Sequence, residues 1–395
     1  MLRVRDPFHR SQLAIAALFC SLGFQYATWA SRIPAIKSDL DLTAAEVGVL
    51  LMAAGIGAAV SFPVVAVLMR RLGSQRLALL SALCLAVLLL ALAAAPNYPV
   101  ALLVMCVDGV LVGCLNVAMN AQGAELESRY ERNAMARLHA TFSGGSLLAA
   151  LLASGMNAVT STVVVHFAAA AALLLLLAAL ARTGLLTDEQ PAVQEEAAKG
   201  AEKEEGKKKS AKWTVPSRMT LWMCVAMAFG TVTEGAMNDW SALYLEDVAE
   251  ASAELAPLGI AVVSGMMLLA RLFADGWRSR WGDGRIVLSG SVLAGAGLAL
   301  ALLSGGLVPA LLGFACVGLG IAAVTPCVYV AAAGQGSDSL TLVAAMGTTG
   351  LLAGPPLIGF IANASSLVWG FAAVAASALV VSACSTRIRW PATSG

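Results

Sequence analysis

The chain has 395 residues, of which 59% are hydrophobic and 12% charged, with a formal net charge of +1. The charged share is about half the roughly 25% of a soluble domain, and a near-zero balance lacks the cationic footprint of a nucleic-acid binder. All eight cysteines sit in apolar runs without paired spacing, which excludes a secreted disulfide scaffold and leaves an integral membrane protein.

A bilayer core about 30 Å thick takes roughly 20 apolar helical residues to cross. Unbroken stretches such as Leu77–Ala95 fit helices better than the alternating strands of a barrel. In chain order, twelve spans are predicted: Ser11–Ile33, Ala45–Met69, Leu77–Ala95, Val100–Gly123, Leu138–Asn157, Thr162–Ala181, Met219–Leu245, Pro257–Trp277, Ile286–Ser304, Leu307–Ala332, Leu340–Ala362 and Ser365–Ala383. The first follows Arg3, Arg5 and Arg10 but is too long for a cleaved leader, so it reads as an uncleaved helix. Gly354-Pro355-Pro356 should break or bend the eleventh span, because two ring nitrogens donate no hydrogen bond. Gly109-x-x-x-Gly113 and Gly350-x-x-x-Gly354 read as points of close helix packing.

Between the sixth and seventh spans, Asp188–Lys212 carries Glu195-Glu196, Glu204-Glu205 and Lys207-Lys208-Lys209 among Ala and Gly, with no large apolar residue after Val193. Such a segment cannot bury enough surface to order itself and reads as a flexible linker. The expected organisation is a six-span bundle over 1–182, a cytoplasmic linker over 183–217 and a second six-span bundle over 218–395. Faint internal echoes suggest duplication: Trp29-Ala30-Ser31 against Trp240-Ser241-Ala242, and Ser146-Leu147-Leu148-Ala149 against Gly350-Leu351-Leu352-Ala353. With both termini in the cytoplasm, 23 of the 25 Lys and Arg fall inside and only Arg32 and Lys37 outside. Positively charged loops resist translocation, so this bias sets the orientation.

The segment Leu68-Met69-Arg70-Arg71-Leu72-Gly73-Ser74-Gln75-Arg76 resembles the signature loop G-x-x-x-D-R-x-G-R-R of the major facilitator superfamily. Arg71, Gly73 and Arg76 fit, whereas Arg70 stands in place of the aspartate. The corresponding loop after the eighth span does carry an acid, in Arg271-Leu272-Phe273-Ala274-Asp275, followed by Arg280-Trp281-Gly282 and Arg285. The resemblance covers nearly the whole chain. It implies an all-α fold of two pseudo-symmetric six-helix bundles, a central cavity lined by helices one, four, seven and ten, and a cytoplasmic gate built from Arg71, Gly73, Arg76, Arg271, Asp275 and Arg285. Tyr26–Pro34 and Asn116–Gly123 are similar to the MosC-like bacterial branch, related to fucose-permease-type sugar carriers, which implies the bacterial cytoplasmic (inner) membrane. Ser143–Gly155 lacks the proline of the drug/proton antiporter motif.

Ionisable residues inside a span are costly and mark function. A carboxylate in a poorly solvated cavity can bind and release a proton near neutral pH, which makes Asp108, Glu234 and Asp239 the proton-coupling candidates. Gln25, Trp29 and Arg32 share one helix face, as do Asn116 with Asn120 and Glu234 with Asn238. Amides beside an indole suit a hydroxylated solute, so Gln25, Trp29, Arg32, Asn116, Asn120, Asn238 and Trp240 are the substrate-binding candidates. The alternatives are interhelical hydrogen bonds for the amides and interfacial anchoring for the two tryptophans.

His139 and His166 have no second ligand at metal spacing, and Gly200–Lys208 is only a near miss to a phosphate-binding loop. No His-Glu-x-x-His or Gly-x-Ser-x-Gly motif is present, so no enzyme, metal or cofactor is expected. The expected function is a proton-coupled secondary transporter of a small polar solute, sugar- or polyol-like, working by alternating access. Its partners are the solute, the coupling proton and the bilayer, not nucleic acid, and it is expected to be a monomer. The alternatives are an efflux carrier for amphipathic compounds and a transport-inactive membrane sensor.

Overall fold

The computed structural model describes residues 6–132, 134–187 and 216–390. The linker expected over 183–217 therefore lies mostly outside the described residues. The described residues form thirteen helices and no strand: α1 (Pro7–Ala30), α2 (Ile33–Asp39), α3 (Ala44–Ala93), α4 (Tyr98–Tyr130), α5 (Met135–Val159), α6 (Val163–Arg182), α7 (Arg218–Asp247), α8 (Leu258–Trp281), α9 (Asp283–Ser304), α10 (Leu307–Ile321), α11 (Val324–Ala333), α12 (Ser337–Ala364) and α13 (Leu367–Ser385). Among the described residues, nine helices are long and apolar enough to cross a bilayer.

Local chemistry sets several of the helix starts. The Asp6 carboxylate accepts from the Phe8 amide ahead of α1, and Asn97 accepts from Val100 at the head of α4. Thr43 and Glu46 form a reciprocal capping box at α3, each side chain accepting from the other's backbone amide. Such caps satisfy amides that have no partner within the helix.

Three departures from the sequence reading have clear causes. The loop expected between the second and third spans is a single kinked residue within one continuous helical run. Gly73, at φ 74°, ψ 171°, is the non-helical point inside α3, a conformation open to glycine and strained for other residues. The tenth predicted span divides into α10 and α11 around Ala322 and Ala323, just before Pro326. The eleventh does not break: α12 runs through Pro355 and Pro356. That stretch lies close against α3, where a Cβ at Gly48 would sit 3.0 Å from the Pro356 Cα. One element went unforeseen, the short α2 with Pro34 in its first turn.

The helices before and after the undescribed stretch each pack mainly among themselves. In the first group α3 packs on α4 and α6, and α1 on α5 and α6. In the second, α9 packs on α10 and α13, and α7 on α12 and α13. Gly109 shows why small residues are needed at these crossings, since a Cβ there would collide with the Ala54 carbonyl oxygen of α3. The groups meet along α3–α12 and α5–α8, with α1 and α2 also touching α7.

Candidate functional site

The site is built on α1 and α7, which lie at the centre of the contact network. From Ser21 to Ala30, α1 is buried at every position except Tyr26. From Gly230 to Leu245, α7 is buried at every position except Glu234 and Asn238. Here α7 is surrounded by α1, α2, α8, α10, α11, α12 and α13. The partial exposure on this enclosed helix falls on a glutamate and an asparagine four residues apart.

Two polar links join the groups at this level. The Tyr26 hydroxyl donates to the Asp239 carboxylate, tying α1 to α7. Arg271 of α8 donates to Glu234 Oε1 at 3.2 Å and to Ser143 Oγ of α5 at 2.6 Å. The Arg271 and Glu234 side chains are 25% and 24% exposed, so the pair is neither sealed in the core nor fully wet. At 1.5 Å per residue, Arg271 lies about 20 Å from the start of α8, and Glu234 about 20 Å from the end of α7. Both depths are counted from the end of the molecule that carries α2.

That end is closed by further contacts. Lys37 Nζ lies 2.7 Å from Asp247 Oδ2. Asn157 donates to the Ala253 carbonyl at 2.6 Å, and Ser154 to that of Glu254. Glycines 48 and 359 let α3 and α12 touch there, since a Cβ at Gly359 would sit 2.9 Å from the Gly48 Cα.

Within the first group, Gln25 Nε2 donates to Asp108 Oδ1 at 2.7 Å, both residues buried, which ties α1 to α4. Among the described residues, the buried Gln25 Oε1, Trp29 Nε1, Ser31 Oγ, Trp240 Nε1 and Ser241 Oγ have no hydrogen-bond partner. A buried polar atom without a partner costs about 1–3 kcal/mol, and these five gather in the same stretches of α1 and α7 as Tyr26 and Asp239.

The expected site residues fall into distinct places. Gln25 and Asp108 are paired with each other, while Asp239, Glu234 and Asn238 sit at the junction of the groups. Asn238 donates to the Glu234 carbonyl at 3.0 Å. Asn116 is exposed and Asn120 half-buried, and Asn120 Nδ2 donates to the Asn116 side-chain oxygen at 2.8 Å. Arg32 does not face the junction. It is 3% exposed and its guanidinium donates to His166 Nδ1 at 3.0 Å and to the Ser161 carbonyl at 3.3 Å, which spends its charge on the turn before α6. Trp29 and Trp240, at 3% and 0% exposure, sit in the helical core, so interfacial anchoring is excluded for both. Trp240 is too enclosed to touch a solute in this conformation.

The gate residues divide similarly. Arg71, Arg76 and Arg285 are exposed and Gly73 forms the α3 kink. Arg271 is not at a helix end, because α8 continues ten residues beyond it to Trp281, and its partners are Glu234 and Ser143. Asp275 lies on α8 with its side chain outside the described residues. Near that helix end the bidentate pair is Arg278 with Asp283, at 2.8 and 3.1 Å.

Sequence reasoning missed Tyr26, Ser143 and Gln122. Gln122 is buried, donates to Ser74 Oγ at 2.7 Å and to the Leu186 carbonyl at 2.9 Å, and accepts from the Leu186 amide. An arginine inside the eighth apolar stretch was a readable signal for Arg271, whereas the hydroxyls of Tyr26 and Ser143 carry no such mark.

A family model described as Major Facilitator Superfamily matches residues 13–339. The membrane protein MosC of Rhizobium meliloti is 30% identical over 364 residues, covering 90% of this chain and 84% of that protein. Two solved folds superpose over nearly the whole chain at 14% identity. The D323A mutant of the nucleoside transporter NupG gives a TM-score of 0.74 and covers 97% of this chain and 99% of that one. A D-xylose-proton symporter gives 0.73, covering 95% and 97%.

Proposed function

The chain belongs to the major facilitator superfamily, whose members are transporters rather than enzymes, and we propose that it is a proton-coupled carrier of a small polar solute, sugar- or polyol-like. It works by alternating access between two six-helix bundles, with twelve crossings, both termini in the cytoplasm of a bacterial cell and the inner membrane around it. In this arrangement the α2 end faces outward and is closed, and the solute reaches the site from the inside.

The observation that carries this reading is the Arg271–Glu234–Ser143 triad, because one arginine holds a carboxylate of its own bundle and a hydroxyl of the other. Protonating Glu234 removes the charge that anchors Arg271 within its own bundle, which frees the guanidinium that bonds Ser143 of the other bundle and couples proton binding to rocking. Asp108 and Asp239, each held by a neutral donor, are the further proton carriers. Gln25, Asn116, Asn120 and Asn238 supply amides for solute hydroxyls, and Tyr26 joins them as a ring with a hydroxyl. The xylose-proton symporter and the nucleoside transporter with this fold handle solutes of the proposed chemistry.

The test is counterflow in proteoliposomes with labelled sugars, polyols and nucleosides, followed by uptake under an imposed pH gradient. The expected result is exchange of one class, with accumulation when the gradient is present. Exchange without gradient-driven accumulation would remove the proton, and exchange of none would remove the carrier reading.

A further inference from the structure

At the end of the molecule opposite α2, three arginines line one cavity of about 360 Å³. Arg218 is the first residue of α7, and Arg387 and Arg389 follow the last turn of α13. Met219, Trp222 and Gln335 complete the lining. The C-terminal segment is tied down there, since the Arg389 amide donates to the Met219 sulfur at 3.2 Å and the Trp390 indole to the Ser385 carbonyl at 3.0 Å. Among the described residues no carboxylate pairs with any of the three guanidinium groups.

We propose that this cavity binds a phosphate-bearing anion, in particular the headgroup of an anionic phospholipid. Three cations brought to one cavity repel each other unless an anion lies among them. Guanidinium groups match phosphate in a planar two-bond fork, and the Gln335 amide adds a neutral donor. The lining has an apolar side as well: Trp222 and Met219 lie one helical turn or less into α7, at the depth where a glycerol backbone and the first acyl carbons would follow a headgroup. Basic pockets at helix ends on the positively charged side of a membrane suit such headgroups, and an indole suits the interface. The cavity lies away from the Arg271–Glu234 junction and is independent of the solute assigned there.

The test uses full-length protein, delipidated in detergent and titrated with phosphatidylglycerol, phosphatidylcholine, glycerol phosphate or inorganic phosphate, with lipid occupancy read by native mass spectrometry and melting temperature alongside. Phosphatidylglycerol should bind in preference to phosphatidylcholine and raise the melting temperature by mass action. R387Q/R389Q should weaken that binding roughly thirtyfold, the loss expected for two basic side chains near an anionic surface. R387K/R389K, which keeps the charge but not the fork, should fall between them. Competition by inorganic phosphate at matched occupancy would identify free phosphate as the source of the anion, and its failure to compete would identify the lipid. Unchanged counterflow in phosphatidylcholine liposomes shows that the variant is folded, and if it is not, R218Q takes its place. Equal phosphatidylglycerol binding by native and folded variant protein, or equal binding of both lipids, overturns the proposal.

Discussion

Arg271 and Glu234 meet at 3.2 Å on neighbouring helices, while the same guanidinium reaches Ser143 on α5 at 2.6 Å. The arginine is thus shared between a titratable group and a group that cannot titrate, on opposite sides of the junction. Neutralising Glu234 leaves the Ser143 bond in place and turns the ion pair with Glu234 into a weaker bond to a neutral carboxyl group.

Glu234→Gln should therefore abolish accumulation driven by a pH gradient while leaving counterflow intact. Uptake into proteoliposomes with and without the gradient checks this, and full accumulation by the variant would remove Glu234 from the coupling step. Arg271→Met should cost about 1–2 kcal/mol of stability, because it strands the half-buried carboxylate, and should lose both modes of transport.

Asp108 and Gln25 separate chemistry from packing. Asp108→Asn preserves a side chain that can bond Gln25 and should lose gradient-driven accumulation with little change in melting temperature. Gln25→Ala leaves a buried carboxylate without its donor and should destabilise by about 1–3 kcal/mol. Melting curves that rank the two variants the other way would show that the Gln25–Asp108 bond is not what holds Asp108.

The closed α2 end should be trappable. With the native cysteines replaced, Asn157→Cys paired with Ala253→Cys joins positions whose atoms already meet at 2.6 Å. Oxidation should stop counterflow and reduction should restore it. Full exchange by the oxidised protein would show that the two bundles need not part at this point.

At Gly109 the α3–α4 contact leaves no room for a side chain. Gly109→Leu should prevent accumulation of folded protein, whereas the same change at Gly155, where a Cβ would meet nothing within 4 Å, should be tolerated. Size-exclusion profiles of the two variants distinguish these outcomes.

Much of the architecture could be read directly from the chain, because hydropathy reports on whole helices and the bilayer demands a minimum length. Eleven of the twelve apolar stretches fall within or nearly coincide with a single helix, and the exception divides at Ala322 and Ala323, just before Thr325 and Pro326. The site was legible only in its charges. Asp108, Glu234 and Asp239 stand out because ionised groups are rare in apolar runs, but partner choice depends on rotation about each helix, which sequence spacing fixes within one helix and not between two. Arg32 caps α2, six residues beyond Tyr26, and turns toward His166, while Tyr26 of α1 takes Asp239 of α7.

Gly73 gives the first bundle an unusual mechanical property. With one positive-φ residue in place of a connecting loop, the two arms of α3 have no slack between them. A tilt of the arm that touches α12 would pass to the arm behind it through a single pair of dihedral angles, which makes the two arms of α3 one cranked lever.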